Sequence, residues 1–242
     1  MEDPRRRRLI EALALGFFSC TVRGAYAQAA SGAPGKLPPG RSIYRMTGTV
    51  LVNGRPATSD TVIAPGDAVE TGRDSELIFV VGGHSMIVRA ESRLAIEADT
   101  RQSSSLLIAG LRLLTGKLLS VSRDTHTRVT TATATIGIRG TGWYAESDPE
   151  RTYFCTCYGS TEIVARNDPT SIERIESTHH DRPLYILAKS EPGNAIRSAP
   201  WMNHSDQELV LIETLVGRTP PFGASYNYVP APAPPATPPR DY

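Results

Sequence analysis

The chain lacks charge imbalance, has few cysteines, and has no long apolar run beyond its first residues. Among 242 residues, 26 Lys and Arg face 25 Asp and Glu, for a net charge of +1. The only run of basic residues is Arg5 to Arg8. This excludes the basic stripe of a nucleic-acid binder and the patch that holds a protein to an anionic membrane. After residue 27 no stretch approaches the roughly 18 to 20 apolar residues that cross a bilayer, so no membrane span is expected there. Catalytic signatures are missing as well: there is no G-x-S-x-G elbow, no G-x-x-x-x-G-K phosphate loop and no H-E-x-x-H. These absences point to a protein that is not an enzyme.

What is present begins with an address. Arg5 to Arg8, the mostly apolar Leu9 to Val22 and the small-x-small site Ala25-Tyr26-Ala27 together read as a secretory signal peptide over residues 1–27. The arginine run fits twin-arginine export only loosely. The expected compartment is the periplasm. Five arginines and three acidic residues leave with the leader, so the remainder carries a net charge of −1. Cys20 leaves too, and two of the three cysteines remain, Cys155 and Cys157.

Residues 28–42, rich in Ala, Gly, Ser and Pro, read as a flexible linker. From residue 43 to 190 turn signals recur about every 8 to 12 residues, the spacing of an all-β domain. Asn53-Gly54 marks a hairpin, because both positions must accept positive φ. Pro65-Gly66-Asp67 and Gly82-Gly83 mark turns, and Gly116 divides a leucine-rich stretch into two segments. The central unit, Thr130 to Gly159, reads as a strand to Tyr144, a turn at Ser147 to Glu150 and a second strand from Tyr153 to Tyr158. Alternation there would leave one of Trp143 and Tyr144 buried and the other exposed. The stretch 166–189 is polar apart from Leu184 to Ala188. In the C-terminal extension, residues 191–222, Ser205 and Glu208 form a capping box before Leu209, Ile212, Leu215 and Val216 at helical spacing, with Gly217 as a stop. The helix should dock on the domain's own core. Residues 223–242 read as a proline-rich tail.

Chemistry concentrates in Cys155 and Cys157, which a strand would point the same way. Three readings stand side by side. The pair could form a strained, easily reduced disulfide, since residues two apart in a straight strand sit near the limit of bridgeable separation. It could bind a soft or borderline ion, zinc or copper(I), together with His179 or His180, with Asp181 orienting an imidazole. It could be a pair of inert buried thiols. His179 and His180 are adjacent, so in a strand only one would reach the cysteines. A sulfur within about 4 Å of an imidazole nitrogen would favour ligation. His204, with Asp206 and Glu208, could supply further ligands, although the capping box accounts for Glu208 without a metal. His84 and His126 read as surface residues. A Cys–His nucleophile lacks a visible oxyanion site.

Four segments carry a resemblance. GTVLVNGRPA, GDAVETGRDSELIFVV, LLTGKLLSV and VTTATATIGIRGTGWYAE, spanning about residues 46 to 165, resemble the FecR domain in order and spacing, with Ala132 at the position of the usual proline. The resemblance implies an exported all-β domain, a twisted solenoid-like or sandwich-like stack of short strands, to which the sequence adds the one C-terminal helix. It also implies a binding, scaffolding or sensing module with a periplasmic or envelope protein partner. The family is best known for membrane-spanning regulators of sigma factors. The anti-sigma segment and spanning helix of those regulators are not expected here, so a signalling role is implied only in part.

Overall fold

The computed structural model describes residues 34–99, 107–122 and 126–222. The leader, the first part of the linker and the proline-rich tail lie outside them. Fourteen strands pair into one sheet: β1 (Ile43–Thr47), β2 (Val50–Val52), β3 (Arg55–Pro56), β4 (Ala68–Thr71), β5 (Glu76–Val81), β6 (His84–Val88), β7 (Arg93–Ala98), β8 (Ile108–Val121), β9 (His126–Thr130), β10 (Ala134–Ser147), β11 (Arg151–Ala165), β12 (Ile172–Ser177), β13 (Leu184–Leu187) and β14 (Ile196–Ser198). One helix, α1 (Asp206–Leu215), follows. Among the described residues the fold is all-β with a single short helix. Every pairing is antiparallel except β8 with β9. The Asn53-Gly54 turn forms as expected, with φ of 52° and 74°.

The expectation of uniformly short strands is corrected by three long ones. β8, β10 and β11 span 14, 14 and 15 residues. Each carries a glycine with positive φ part-way along: Gly116, Gly140 and Gly159. These glycines do not end strands, as the sequence suggested for Gly116 and Gly159. They are corners at which one strand changes partners. The first part of β8 pairs with β7 and β9, the rest with β6 and β10. β10 passes from β9 to β8, and β11 from β13 to β12. Gly159 shows why a side chain is excluded. A Cβ there would lie 2.6 Å from the Gly140 carbonyl oxygen and 2.5 Å from Thr141 Cγ2, at φ +93°. Gly159→Ala should therefore destabilise by more than about 2 kcal/mol, read as a lowered urea midpoint; an unchanged midpoint would refute this account of the corner.

The corners let one sheet enclose a core and also present a second apolar face. Leu77, Phe79, Met86, Leu118, Trp143 and Phe154 lie in the larger cluster. Their strand neighbours Ile78, Ile87, Leu119, Tyr144 and Cys155 point the other way into a second cluster, completed by Leu209, Leu211, Ile212 and Leu215 of α1. Burying each of those four helix side chains contributes about 1.5–3 kcal/mol. The helix explains why Trp143 and Tyr144 are both buried, at 1% and 0% exposure, where alternation alone placed one outside. The chain between 166 and 189, read as mostly polar, contributes β12 on the edge of β11.

His84 is also buried, contrary to its reading as a surface residue; His126 is exposed. Burial, reinforced by Arg218, pulls the His84 pKa down to about 4, and its Nδ1 has no hydrogen-bond partner. The unfolded chain then binds the extra proton between pH 6.5 and about 4. Stability is full above pH 6.5 and falls through that window, by roughly 3 kcal/mol in all. His84→Leu should flatten this acid limb of a melting-temperature profile; an unaltered limb would assign it to other groups.

Candidate metal centre

The site lies where β11, the bend after β12 and the loop before α1 meet on the second face. β11 carries one extra residue against β10 at Cys157: Trp143 pairs with Thr156, while Gly142 pairs with Tyr158. Bulges of this kind re-aim side chains beside functional sites. The Cys157 carbonyl accepts from the His180 backbone N–H at 2.9 Å and from the Ser177 hydroxyl at 3.4 Å, which pins the bend to the strand. Cys155 and Cys157 are both free thiols with 0% exposure. They point to one face, as a strand predicts.

His179 and His180 sit in the bend rather than in a strand, and His180 has φ of 53°. The two rings still part company. His180 turns inward, its side chain 7% exposed, and brings Nδ1 to 3.5 Å from Cys155 Sγ. His179 turns outward, 46% exposed, and hydrogen-bonds Asp206 through Nε2 at 2.9 Å. The fourth member is His204, buried in the loop before α1. Its ring stacks on Tyr144 at 4.6 Å and 22°, and its Nε2 lies 3.0 Å from His180 Nδ1. One ligand atom from each of Cys155, Cys157, His180 and His204 falls within 4.8 Å of every other.

Both imidazoles are held from behind. His180 Nε2 faces Asp206 Oδ1 at 3.0 Å. A carboxylate only accepts, so Nε2 carries a proton, and Nδ1 is the nitrogen that faces the sulfurs. His204 Nδ1 faces the Met202 carbonyl at 2.7 Å, which leaves Nε2 as the lone-pair nitrogen. A carboxylate behind one histidine and a carbonyl behind the other is the support that metal-binding imidazoles receive. Asp206 takes the orienting role that the sequence reading gave to Asp181. The Asp181 carboxylate instead accepts from the Thr178 backbone N–H and the Ser177 hydroxyl, closing its own turn.

The charges are arranged accordingly. A hydrogen bond from the Cys157 thiol, helped by His180 and His204, pulls the Cys155 pKa down to about 4 against the opposing effect of burial. Burial first, then the neighbouring Cys155 sulfur, pushes Cys157 up. Burial disfavours charge on His180, yet Cys155 and Asp206 together raise its pKa. The surroundings thus favour the thiolate form of Cys155 beside the His180 ring.

The donor set fits a tetrahedral ion. With metal–sulfur bonds near 2.3 Å and metal–nitrogen bonds of 2.0–2.1 Å, a tetrahedron has S–N edges of about 3.6 Å and N–N edges of about 3.3 Å. The Cys155–His180 edge is 3.5 Å and the His180–His204 edge 3.0 Å, with the remaining edges within 4.8 Å, so loading asks these two rings to part by a few tenths of an ångström. Two thiolates and two imidazoles suit zinc or copper(I). The sequence placed His204 near ligating chemistry but grouped it with Asp206 and Glu208. Those three divide: His204 enters the cluster, Asp206 backs His180, and Glu208 closes the capping box and pairs with Arg89 at 2.7 Å. Only the docking of α1 on the second face of the sheet, over β6 and β8, brings His204 to the cysteines, and no spacing in the sequence encodes that.

No protein-family model matches the chain, and no curated protein matches it. Among solved structures, two crystal structures of "a putative anti-sigma factor from Parabacteroides distasonis ATCC 8503", at 1.65 and 2.50 Å resolution, are similar. Each is 10% identical, has a TM-score of 0.42 and aligns over 60% of this chain. The match spans 64% of the length of those structures.

Proposed function

We propose that this chain is a non-catalytic, exported β module that binds one zinc or copper(I) ion through Cys155, Cys157, His180 and His204. One observation carries the reading: two buried thiols and two imidazoles converge, and the outer nitrogen of each ring is already bonded to an oxygen. Four protein ligands close a tetrahedron and leave no position for substrate or water, which is the pattern of structural or storage sites rather than catalytic ones. The bound ion would join three chain segments, the β11 strand, the bend after β12 and the loop before α1, so metal status would set how firmly the C-terminal segment is held. A scaffolding or sensing role toward an envelope protein partner is the setting we assign to it, supported by the FecR-like pattern of four sequence segments. The test is elemental mass spectrometry on untagged protein purified from periplasm without chelator, with a parallel thiol count. One equivalent of zinc or copper with protected thiols is the expected result. No metal, with two reactive thiols, would overturn the metal reading.

A further inference from the structure

Trp201 is an exposed aromatic at the mouth of the metal centre, 55% accessible in a chain whose other described tryptophan is buried. Its ring lies 5.4 Å from that of His180 and 5.9 Å from that of His204. Its indole N–H donates to His204 Nε2 at 3.2 Å. An indole nitrogen is only a donor, so the bond requires the lone pair of Nε2. The same lone pair is the one His204 would offer to a metal, because its other nitrogen is committed to the Met202 carbonyl. Coordination at Nε2 and the bond from Trp201 exclude one another.

We propose that Trp201 is a gate on the metal centre: it holds the coordinating lone pair of His204, and an incoming ion must displace it. The proposal rests on the metal-binding reading above and adds a residue that no ligand count would include. Trp201 does not ligate; it acts through His204. Its place on the loop suits a part that swings. It is exposed, whereas the rest of the loop is anchored through Asn203, whose carbonyl accepts from Arg89 at 2.9 Å and whose amide donates to Glu146 at 2.6 Å. The ring can leave without dragging His204 with it, since His204 is held separately by Tyr144 and Met202.

The consequence runs opposite to that of an ordinary supporting residue. Removing the indole N–H while keeping an aromatic ring should tighten metal binding, because the competing bond is lost only from the metal-free protein. A net hydrogen bond of ordinary strength corresponds to a gain of about 2- to 10-fold in affinity, with the lower end favoured by solvent exposure. Loading should also perturb Trp201 emission, while Trp143, in the larger core on the other face, stays silent.

The experiment compares the full chain with Trp201→Phe, titrating each with zinc against a chromophoric chelator and recording tryptophan emission. The expected result is a lower Kd for Trp201→Phe by about 2- to 10-fold, with a zinc-dependent emission change in the parent that the variant lacks. Equal Kd values with unchanged emission would overturn the gate and leave the metal centre standing. A weaker Kd in the variant would overturn it too, since Trp201 would then be supporting the loaded site. Failure of both proteins to bind zinc or copper(I) would remove the metal centre itself, and the gate with it.

Discussion

Replacing both Cys155 and Cys157 by serine should abolish metal binding and take the metal-dependent stability with it. The sulfurs supply half of the donor set and all of its softness; serine hydroxyls are poor ligands for zinc and worse for copper(I). An ion bound only by the folded protein, at a free concentration 1,000 times its Kd, stabilises by about 4 kcal/mol. For a domain of this size that corresponds to roughly 10 °C in melting temperature. The parent should therefore melt roughly 10 °C higher with saturating zinc than with chelator, and the double variant should show no such gap. His179→Ala is the matched control. It removes an exposed imidazole bonded to Asp206 but no member of the quartet, so metal content should stay near one equivalent. A double-serine variant that retains its metal would show that the cysteines are inert core residues. An equal loss in His179→Ala would move the site outward, to the group of His179, His180 and Asp206.

The class of the fold was legible because strand and turn chemistry is local. Asn53-Gly54, the capping box at Ser205 and Glu208, and the Gly217 stop all take the conformations their residues demand. What remained hidden was set by partners distant in sequence. Gly116 and Gly159 look like strand ends, since a positive-φ glycine ends a strand as readily as it bends one. Only the pairing of β8, β10 and β11 with different neighbours at each end makes them corners. Alternation leaves one of Trp143 and Tyr144 outside, and it fails where a helix covers the second face of a sheet.

The site shows the same division. That Cys155 and Cys157 face one way follows from strand geometry, and that one of His179 and His180 joins them follows from adjacency. The identity of the fourth ligand does not, because the loop before α1 lies 47 residues from Cys157 in the chain. Asp206 illustrates how one residue serves both levels. It stands in the first turn of α1, where an acidic residue is favoured by the helix dipole, and there it also meets the His180 ring. The sequence announces the first role and is silent on the second.

If the metal centre secures the start of α1, its end is secured by a different device, and Glu213 is where that device should break. Glu213 is fully buried; it accepts a short hydrogen bond from the Tyr158 hydroxyl and pairs with Arg218 Nε at 2.7 Å. Arg218 in turn reaches the Gly83 carbonyl at 3.2 Å, in the turn between β5 and β6. Glu213→Ala would leave the guanidinium and the tyrosine hydroxyl without this acceptor on a largely desolvated face. Removing one partner of such a pair costs about 3–5 kcal/mol. Replacing both charges, as in Glu213→Leu with Arg218→Met, should recover much of that loss, since a well-packed apolar pair is often as stable as the ion pair it replaces. Urea unfolding of the two singles and the double gives the coupling directly. A Glu213→Ala cost below about 1 kcal/mol would mean that α1 is held chiefly by Leu209, Leu211, Ile212 and Leu215. Metal content supplies the cross-check. The cysteine variant should lose metal, whereas Glu213→Ala should lose stability and still bind one equivalent, because the Tyr158 and Arg218 side chains that hold the carboxylate are not among the four ligands. If Glu213→Ala lost its metal as well, the two ends of α1 would behave as one cooperative unit, with the helix itself carrying the coupling between them.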